Sequence, residues 1–134
     1  MKKRIFVMLA AAAVAAATTG IAIAASQKSE QKRSFLIPAN GSGVTGTVQL
    51  RANDEGGTDI RVVARGLQPG GQYASFYYDD HHCSVGPDLV GTFTANSSGT
   101  GFVVGEADDP IDDIGSVSVR TPDYSVLFAC APFG

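Results

Sequence analysis

The chain has few of the residues on which most catalytic sites depend. Its 134 residues include two histidines, and these are adjacent, at His81 and His82. No serine lies in a Gly-x-Ser-x-Gly turn, so the sequence offers no Ser–His–Asp triad. Beyond the first 25 residues no segment keeps a helical period for ten residues, so no glycine-rich loop opens a phosphate-binding helix. Triad hydrolases and phosphate-loop enzymes are therefore excluded.

The first 25 residues have the pattern of an export signal. Three cations at positions 2–4 precede an uncharged run over residues 5–25, and Ala22 and Ala24 are small residues where a signal peptidase reads. We therefore expect residues 1–24 to be a cleaved signal peptide. The alternative is an uncleaved anchor, since 21 uncharged residues can just span a bilayer. Much of the run is alanine and threonine, which makes it weakly hydrophobic for that role.

The predicted mature chain is a short polar segment followed by one domain. Residues 25–33 are polar and lack periodicity, so we expect a flexible tether there, with the domain spanning residues 34–134. Export makes the expected location secreted, periplasmic or otherwise extracytoplasmic, with no membrane insertion once the signal is removed.

The predicted mature chain is acidic. Loss of the three leader cations leaves 7 lysines and arginines against 13 acidic residues, a net charge of about −6. This balance argues against nucleic acid and against an anionic membrane surface as partners.

The two cysteines, Cys83 and Cys130, both lie in the exported part. An even count in an oxidising compartment favours one disulfide over a metal–thiolate site or a catalytic thiol. Two free thiols are the alternative.

Short alternating segments separated by turns predict an all-β domain. Residues 44–52 place Val48 and Leu50 on one face, residues 58–65 place Ile60 and Val62 on one face, and the intervening "NDEGG" predicts an antiparallel hairpin. Seven or eight antiparallel strands in about 100 residues predict a β-sandwich or flattened barrel. The other expected strands are an edge strand over residues 34–38, a strand over 72–78, a second hairpin formed by 89–95 and 100–105, and strands over 114–120 and 124–131.

Four motifs follow one another along the chain: "GLQPG" before the strand at residue 72, a cysteine in the following loop, "GTFTA" with a later glycine, and "FACA" in the last strand. In this order they resemble the motifs of the copper–zinc superoxide dismutases, a family of Greek-key β-barrels. The resemblance covers most of the predicted mature chain. It implies a Greek-key barrel and makes Cys83–Cys130 the counterpart of the family's disulfide.

The family's metal ligands do not have counterparts. Its H-V-H copper motif falls on Ser75, Phe76 and Tyr77, and its late-strand copper histidine falls on Arg120. The zinc loop is reduced to "SVGPD", and Leu127 stands where the family has an anion-guiding arginine. The resemblance therefore implies the fold of a dismutase without its metal centre.

Two sets of residues are candidates for a site. His81 and His82 lie beside Asp79 and Asp80, so this loop is a candidate copper or zinc site. Adjacent side chains on an extended segment point to opposite faces, however, which favours solvated histidines. The other set, which we consider as a binding surface because tyrosine combines contact area with a hydrogen-bonding tip, is Tyr73, Tyr77, Tyr78 and Arg120. The tyrosines of this set are alternatively part of the core or wall of the sandwich.

The sequence thus favours a secreted, non-enzymatic β-sandwich module without cofactor, whose partner is an unknown protein or envelope component. The alternatives are a copper-only, dismutase-like oxidoreductase and a copper-binding protein, both using His81 and His82. The acidic stretch over residues 106–113 has oxygen ligands that suit calcium, but its spacing matches no D-x-D-x-D-G loop and favours a solvated connection.

Overall fold

The computed structural model describes residues 30–134; the predicted signal peptide lies outside them, as does most of the predicted tether. All eight strands are antiparallel and form one sheet, as the alternating pattern predicts. Among residues 30–134 no helix is long and apolar enough to cross a bilayer. The strands are β1 (Gln31–Pro38), β2 (Thr45–Ala52), β3 (Thr58–Arg65), β4 (Gln72–Tyr78), β5 (Asp88–Thr94), β6 (Gly101–Ala107), β7 (Ser116–Arg120) and β8 (Leu127–Pro132), with a single turn of 3-10 helix at Ile111–Asp113.

The spatial order of the strands is β5-β4-β7-β8-β1-β2-β3-β6, and the sheet curls into a nearly closed barrel. The β2–β3 hairpin is confirmed, with Thr45 opposite Arg65 and Ala52 opposite Thr58. Its inward side chains are fully buried because alternation puts every second residue inside. The interior is filled by aliphatic and aromatic side chains from all eight strands.

Strand β1 corrects two expectations. It begins at Gln31, so Gln31–Arg33 are strand residues and do not belong to the tether. It is also not an edge strand, because its first part pairs with β2 and its end pairs with β8 through Ile37 and Cys130. The strand was missed at its start because Lys32 faces the barrel end, where it forms an ion pair with Asp112 at 2.9 Å, so no apolar alternation marks it.

The predicted second hairpin, between β5 and β6, was wrong. Strand β5 pairs with β4, and β6 pairs with β3, so the two strands are the opposite ends of the sheet. They nevertheless approach each other closely: the Val103 side chain packs over Gly91, and both the carbonyl and the side chain of Val90 lie against Gly105. This packing brings the ends together without a ladder of hydrogen bonds.

The last strand is shorter at its start than expected. It begins at Leu127 and not at residue 124, because Thr121, Asp123 and Ser125 form a turn through their side chains. This turn positions Tyr124 over the outside of the barrel, where it contributes to the site described next.

Candidate functional site

Both faces of β4 are buried, which is unusual for a strand of a small barrel. Tyr73, Ser75 and Tyr77 face the interior, whereas Ala74 and Tyr78 face outward. The outward face is covered by the loop that follows β4 and by the turn between β7 and β8. The three tyrosines predicted as a binding surface are thus at most 7% exposed, in agreement with the alternative of core or wall.

A polar cluster lies under this cover and is built around Arg120. We call Tyr78, Ser118, Arg120 and Tyr124 the Arg120 cluster. Arg120 Nε donates to the Tyr78 hydroxyl at 2.9 Å, Nη1 donates to the Tyr124 carbonyl at 3.1 Å, and Nη2 donates to the Cys83 carbonyl at 3.1 Å. All three nitrogens of the guanidinium are therefore engaged: Nε within the sheet, and Nη1 and Nη2 with the two covering segments.

The rest of the Arg120 cluster completes this network. The Tyr78 hydroxyl, which accepts from Arg120, also forms a hydrogen bond of 2.8 Å with Ser118 Oγ, in which either hydroxyl can be the donor. Burial raises the pKa of Tyr78 to about 12, so the phenol remains neutral at physiological pH. The guanidinium carbon lies 3.9 Å from the centre of the Tyr124 ring, in a cation–π contact. The cluster is thus a satisfied polar network.

Tyr124 is held in an uncommon backbone conformation. Its φ of +72° lies in the left-handed region, which costs energy for a bulky residue. The ring is fixed by edge contact with Phe76, whose centroid is 5.0 Å away, as well as by Arg120. These contacts compensate the backbone strain, so Tyr124 acts as a structural part of the cover.

The predicted disulfide between Cys83 and Cys130 is present and ties the covering loop to β8. Ser116 adds a second tie, because its buried hydroxyl donates to the Asp80 carbonyl at 2.6 Å and accepts from the Cys83 N–H at 3.0 Å. The loop is thus attached to β7 and to β8.

Asp80 organises the same loop from its outer side. Its carboxylate accepts four hydrogen bonds, from the N–H groups of His82, Ser84 and Val85 and from the Ser84 hydroxyl at 2.6 Å. The Ser84 hydroxyl and these N–H groups hold the pKa of Asp80 well below its usual range. Its oxygens are therefore already engaged by the loop.

The two histidines differ in their hydrogen bonding. Both are exposed, but His81 Nδ1 lies 3.2 Å from the Gly115 carbonyl oxygen and donates to it, whereas the His82 side chain makes no hydrogen bond among the described residues. In the part of the chain that the structure describes, no group of three or more His, Cys, Asp or Glu side chains is arranged to hold a metal ion. The structure therefore does not bring the four candidate ligands together as a metal site. These candidates are Asp79, Asp80, His81 and His82.

The positions that correspond to copper ligands in the family resemblance do not lie together. Ser75 and Tyr77 face the barrel interior, whereas Arg120 faces outward among the cluster. Ser75 Oγ is fully buried and makes no hydrogen bond. Burial and the carboxylates of Asp88 and Asp109 raise the pKa of Tyr77 to about 12, so its phenolate is not available as a ligand.

The acidic connection after β6 borders a shallow depression of about 460 Å³. Asp109, Asp112 and Asp113 line it together with Asp79 and His81. Asp112 is neutralised by Lys32 at 2.9 Å, and no ligand set for calcium is formed by the described residues. The depression carries negative charge without a built cation site.

Two groups of functional residues were not predicted. Ser116 and Ser118 alternate with valines in "SVSVR", and that period-two pattern places their hydroxyls on the face of Arg120, so it was a usable signal. Tyr124 had no such signal, because its position depends on a turn formed by neighbouring side chains.

Comparison with known proteins adds no family assignment. No protein-family model matches the chain, and no curated protein matches it.

Proposed function

We propose that this chain is a secreted, non-enzymatic binding module with a Greek-key barrel like that of the copper–zinc superoxide dismutases, and without their metal centre. Its partner is a protein or another component of the cell envelope. Support for the fold comes from the ordered motifs, from the eight-stranded barrel and from a disulfide joining the loop after β4 to the last strand.

The Arg120 cluster carries the proposal. A guanidinium has no lone pair to offer a metal, and its positive charge opposes a cation nearby. Here it also fills the space between β4, β7 and their cover, with every nitrogen donating to a protein oxygen. The residues at this position therefore do not fit copper.

The placement of the remaining positions supports the same function. Ser75 and Tyr77 are inside the barrel and Arg120 is outside it, so the three do not converge on one ion. The acidic charge of the chain also repels superoxide, an anion, at long range.

A metal-loading experiment tests the absence of catalysis. The purified exported protein is loaded with copper and zinc, loosely held metal is removed, and metal content and dismutation are measured beside a His81→Ala/His82→Ala variant. We expect less than one equivalent of retained metal and no dismutation above that of free copper. Activity well above free copper that the double substitution abolishes would overturn the proposal in favour of a copper-only enzyme.

A separate measurement tests export. The intact mass of protein recovered outside the cytoplasm should correspond to a start at Ala25 or within a few residues of it. A full-length mass confined to the membrane fraction would contradict a secreted module.

A further inference from the structure

The outer face of β1, β2, β3 and β6 is not covered by any loop that the structure describes. The register of the three ladders arranges its side chains in rows that run across the strands. We call this surface the open face. Its rows, written in the order β1-β2-β3-β6, are Gln31-Arg51-Asp59-Glu106, then Arg33-Gln49-Arg61-Val104, then Phe35-Thr47-Val63-Phe102, with Thr45 and Arg65 beyond.

The composition of the open face is that of a protein interface. Phe35 is 67% exposed, and Phe102 and Val104 are each 53% exposed, which places two phenylalanines at the surface of one row. Among residues 30–134, four of the six lysines and arginines lie on this face, and all four are arginines. Interfaces are enriched in arginine and aromatic residues and depleted of lysine.

We propose that the open face binds the open face of a second copy of this chain, about a two-fold axis that runs along the strands between β2 and β3. This proposal does not depend on the proposed function. Two sheets packed face to face keep their strands nearly aligned, and a two-fold axis along the strands produces that arrangement.

The apolar row is self-complementary under this axis. Because the axis exchanges β1 with β6 and β2 with β3, Phe35 of one copy meets Phe102 of the other, and Thr47 meets Val63. The row has an aromatic residue at each end and a β-branched residue at each inner position, so it matches its own reverse.

The shape of the row suits the curvature of a barrel. The outside of a barrel is convex, so two such surfaces touch at the centre and diverge at the sides. Small side chains at the centre, Thr47 and Val63, allow close approach, and the large Phe35 and Phe102 fill the gaps at the sides. This distribution of side-chain sizes allows two convex sheets to make contact across all four strands.

The charges are also complementary under the same axis. Arg51 meets Asp59 of the second copy, and this contact occurs twice. Among the described residues the ion pair present is Lys32–Asp112, so Arg51 and Asp59 are not in ion-pair contact within one chain. Arg33 meets Val104 and Arg61 meets Gln49, so no like charges are directly opposed.

A groove on the open face gives Arg51 of the second copy a place to lie. The groove has a volume of about 420 Å³, with Arg51 and Arg61 of the same chain on its basic side and Asp59 and Glu106 on its acidic side. Its acidic side, formed by Asp59 and Glu106, is the side that a guanidinium from the second copy reaches.

The size of the face predicts a reversible dimer. Two residues span about 6.8 Å along a strand and strands lie about 4.8 Å apart, so the three complete rows on four strands cover roughly 400 Å² in each copy. Two copies therefore bury on the order of 800 to 1,000 Å², the lower end for specific interfaces. Association should depend on protein concentration.

Sedimentation velocity of the purified exported chain, from micromolar to millimolar concentration, tests the proposal. We expect a reversible monomer–dimer equilibrium. Arg51→Asp should weaken dimerisation about tenfold or more, because it replaces two ion pairs by two carboxylate pairs. The combined variant Arg51→Asp/Asp59→Arg should restore it, and Arg65→Asp, the same charge change opposite Thr45, should leave it nearly unchanged.

Thermal unfolding of each variant by circular dichroism establishes that the fold is retained. Phe102→Ser provides a second way to weaken the dimer if Arg51→Asp does not fold. A monomer at every concentration would overturn the proposal and leave the open face to an acidic protein partner. A dimer that Arg51→Asp and Phe102→Ser leave intact, or that Arg65→Asp weakens as strongly as Arg51→Asp, would overturn it equally.

Discussion

The two halves of the sheet differ in what lies outside them. Outside β4 and β7 two loops form a cover, and the side chains beneath it, Tyr78 and Ser118, are fully buried. Outside β2 and β3 the corresponding positions are occupied by arginine, aspartate, glutamine, threonine and one valine, and phenylalanines are exposed in the adjoining strands. One barrel thus has a wall that the chain covers itself and a wall that it leaves to solvent or to a partner.

The difference shows how a cover of polar loops is kept in place. The covered half has a disulfide, an arginine with three engaged nitrogens and a serine that holds two backbone groups. The open half has none of these ties and consists of regular ladders. The open half is therefore supported by its ladders and by the core that both halves share, whereas the cover also depends on these side-chain ties.

The largest effect should come from removing the disulfide of the covered half. Cys83 and Cys130 are separated by 47 residues, and closing a loop of that size disfavours the unfolded chain by about 4 kcal/mol in the chain-entropy model, as an upper value. Reduction, or a Cys83→Ser/Cys130→Ser variant, should lower the melting temperature by many degrees in calorimetry. An unchanged melting temperature with two free thiols in the native protein would contradict a disulfide-held cover.

The next effect concerns Arg120. Arg120→Met keeps much of the packing but leaves the Tyr124 and Cys83 carbonyls and the Tyr78 hydroxyl without their donor. The free energy of unfolding should fall by about 2 kcal/mol, measured by denaturant titration. Arg65→Met on the open face is the matched control and should change it by less than about 0.5 kcal/mol. Equal effects at the two positions would remove the distinction between the halves.

Acid should loosen the covered half first. The folded-state pKa of Asp80 lies below its unfolded value, so its contribution to stability is present above about pH 4 and is lost as the pH falls further. In Asp80→Asn the loss of stability with falling pH should be smaller in that acid range. The fraction unfolded is followed by tyrosine fluorescence as a function of pH. Asp54→Asn, in the exposed β2–β3 turn, is the control. Indistinguishable acid profiles for the wild type and Asp80→Asn would contradict the role assigned to this carboxylate.

The smallest effect should come from Ser75, inside the barrel. Its hydroxyl is buried without a hydrogen bond, so Ser75→Ala should leave the free energy of unfolding unchanged or raise it by up to about 1 kcal/mol. Ser118→Ala on the covered face removes the partner of Tyr78 and should lower it by about 1 kcal/mol. A clear loss of stability for Ser75→Ala would indicate an unseen partner for this hydroxyl.

The sequence predicted the open half better than the covered half. The hairpin of β2 and β3 was predicted because one face of each strand meets solvent, which produces strict alternation. β4 and β7 are buried on both faces, so alternation could not tell which face Tyr78 occupies or that Ser116 and Ser118 are enclosed. Their cover is made by residues distant in the chain, and no local pattern records it.

The two topological errors share one cause. The roles of β1 and of the β5–β6 pair depend on how the sheet closes, and closure is decided by contacts between strands far apart in sequence. The short turn from β5 to β6 has the composition of a hairpin turn, but the two strands pack against each other at Gly91 and Gly105 without forming a hydrogen-bonded ladder. The residues between β5 and β6 therefore predicted the turn correctly, but the predicted pairing of β5 with β6 was wrong.

The gap between β5 and β6 also makes the sheet a strip with two ends. In a closed ring every amide is shielded by a neighbouring strand, but along the ends of a strip alternate amides have no carbonyl opposite them. Those amides of β5 and β6 should exchange with deuterium sooner than those of β3 and β4, one strand further in. The barrel therefore has a defined line along which it can open, and Gly91 and Gly105 mark where it runs.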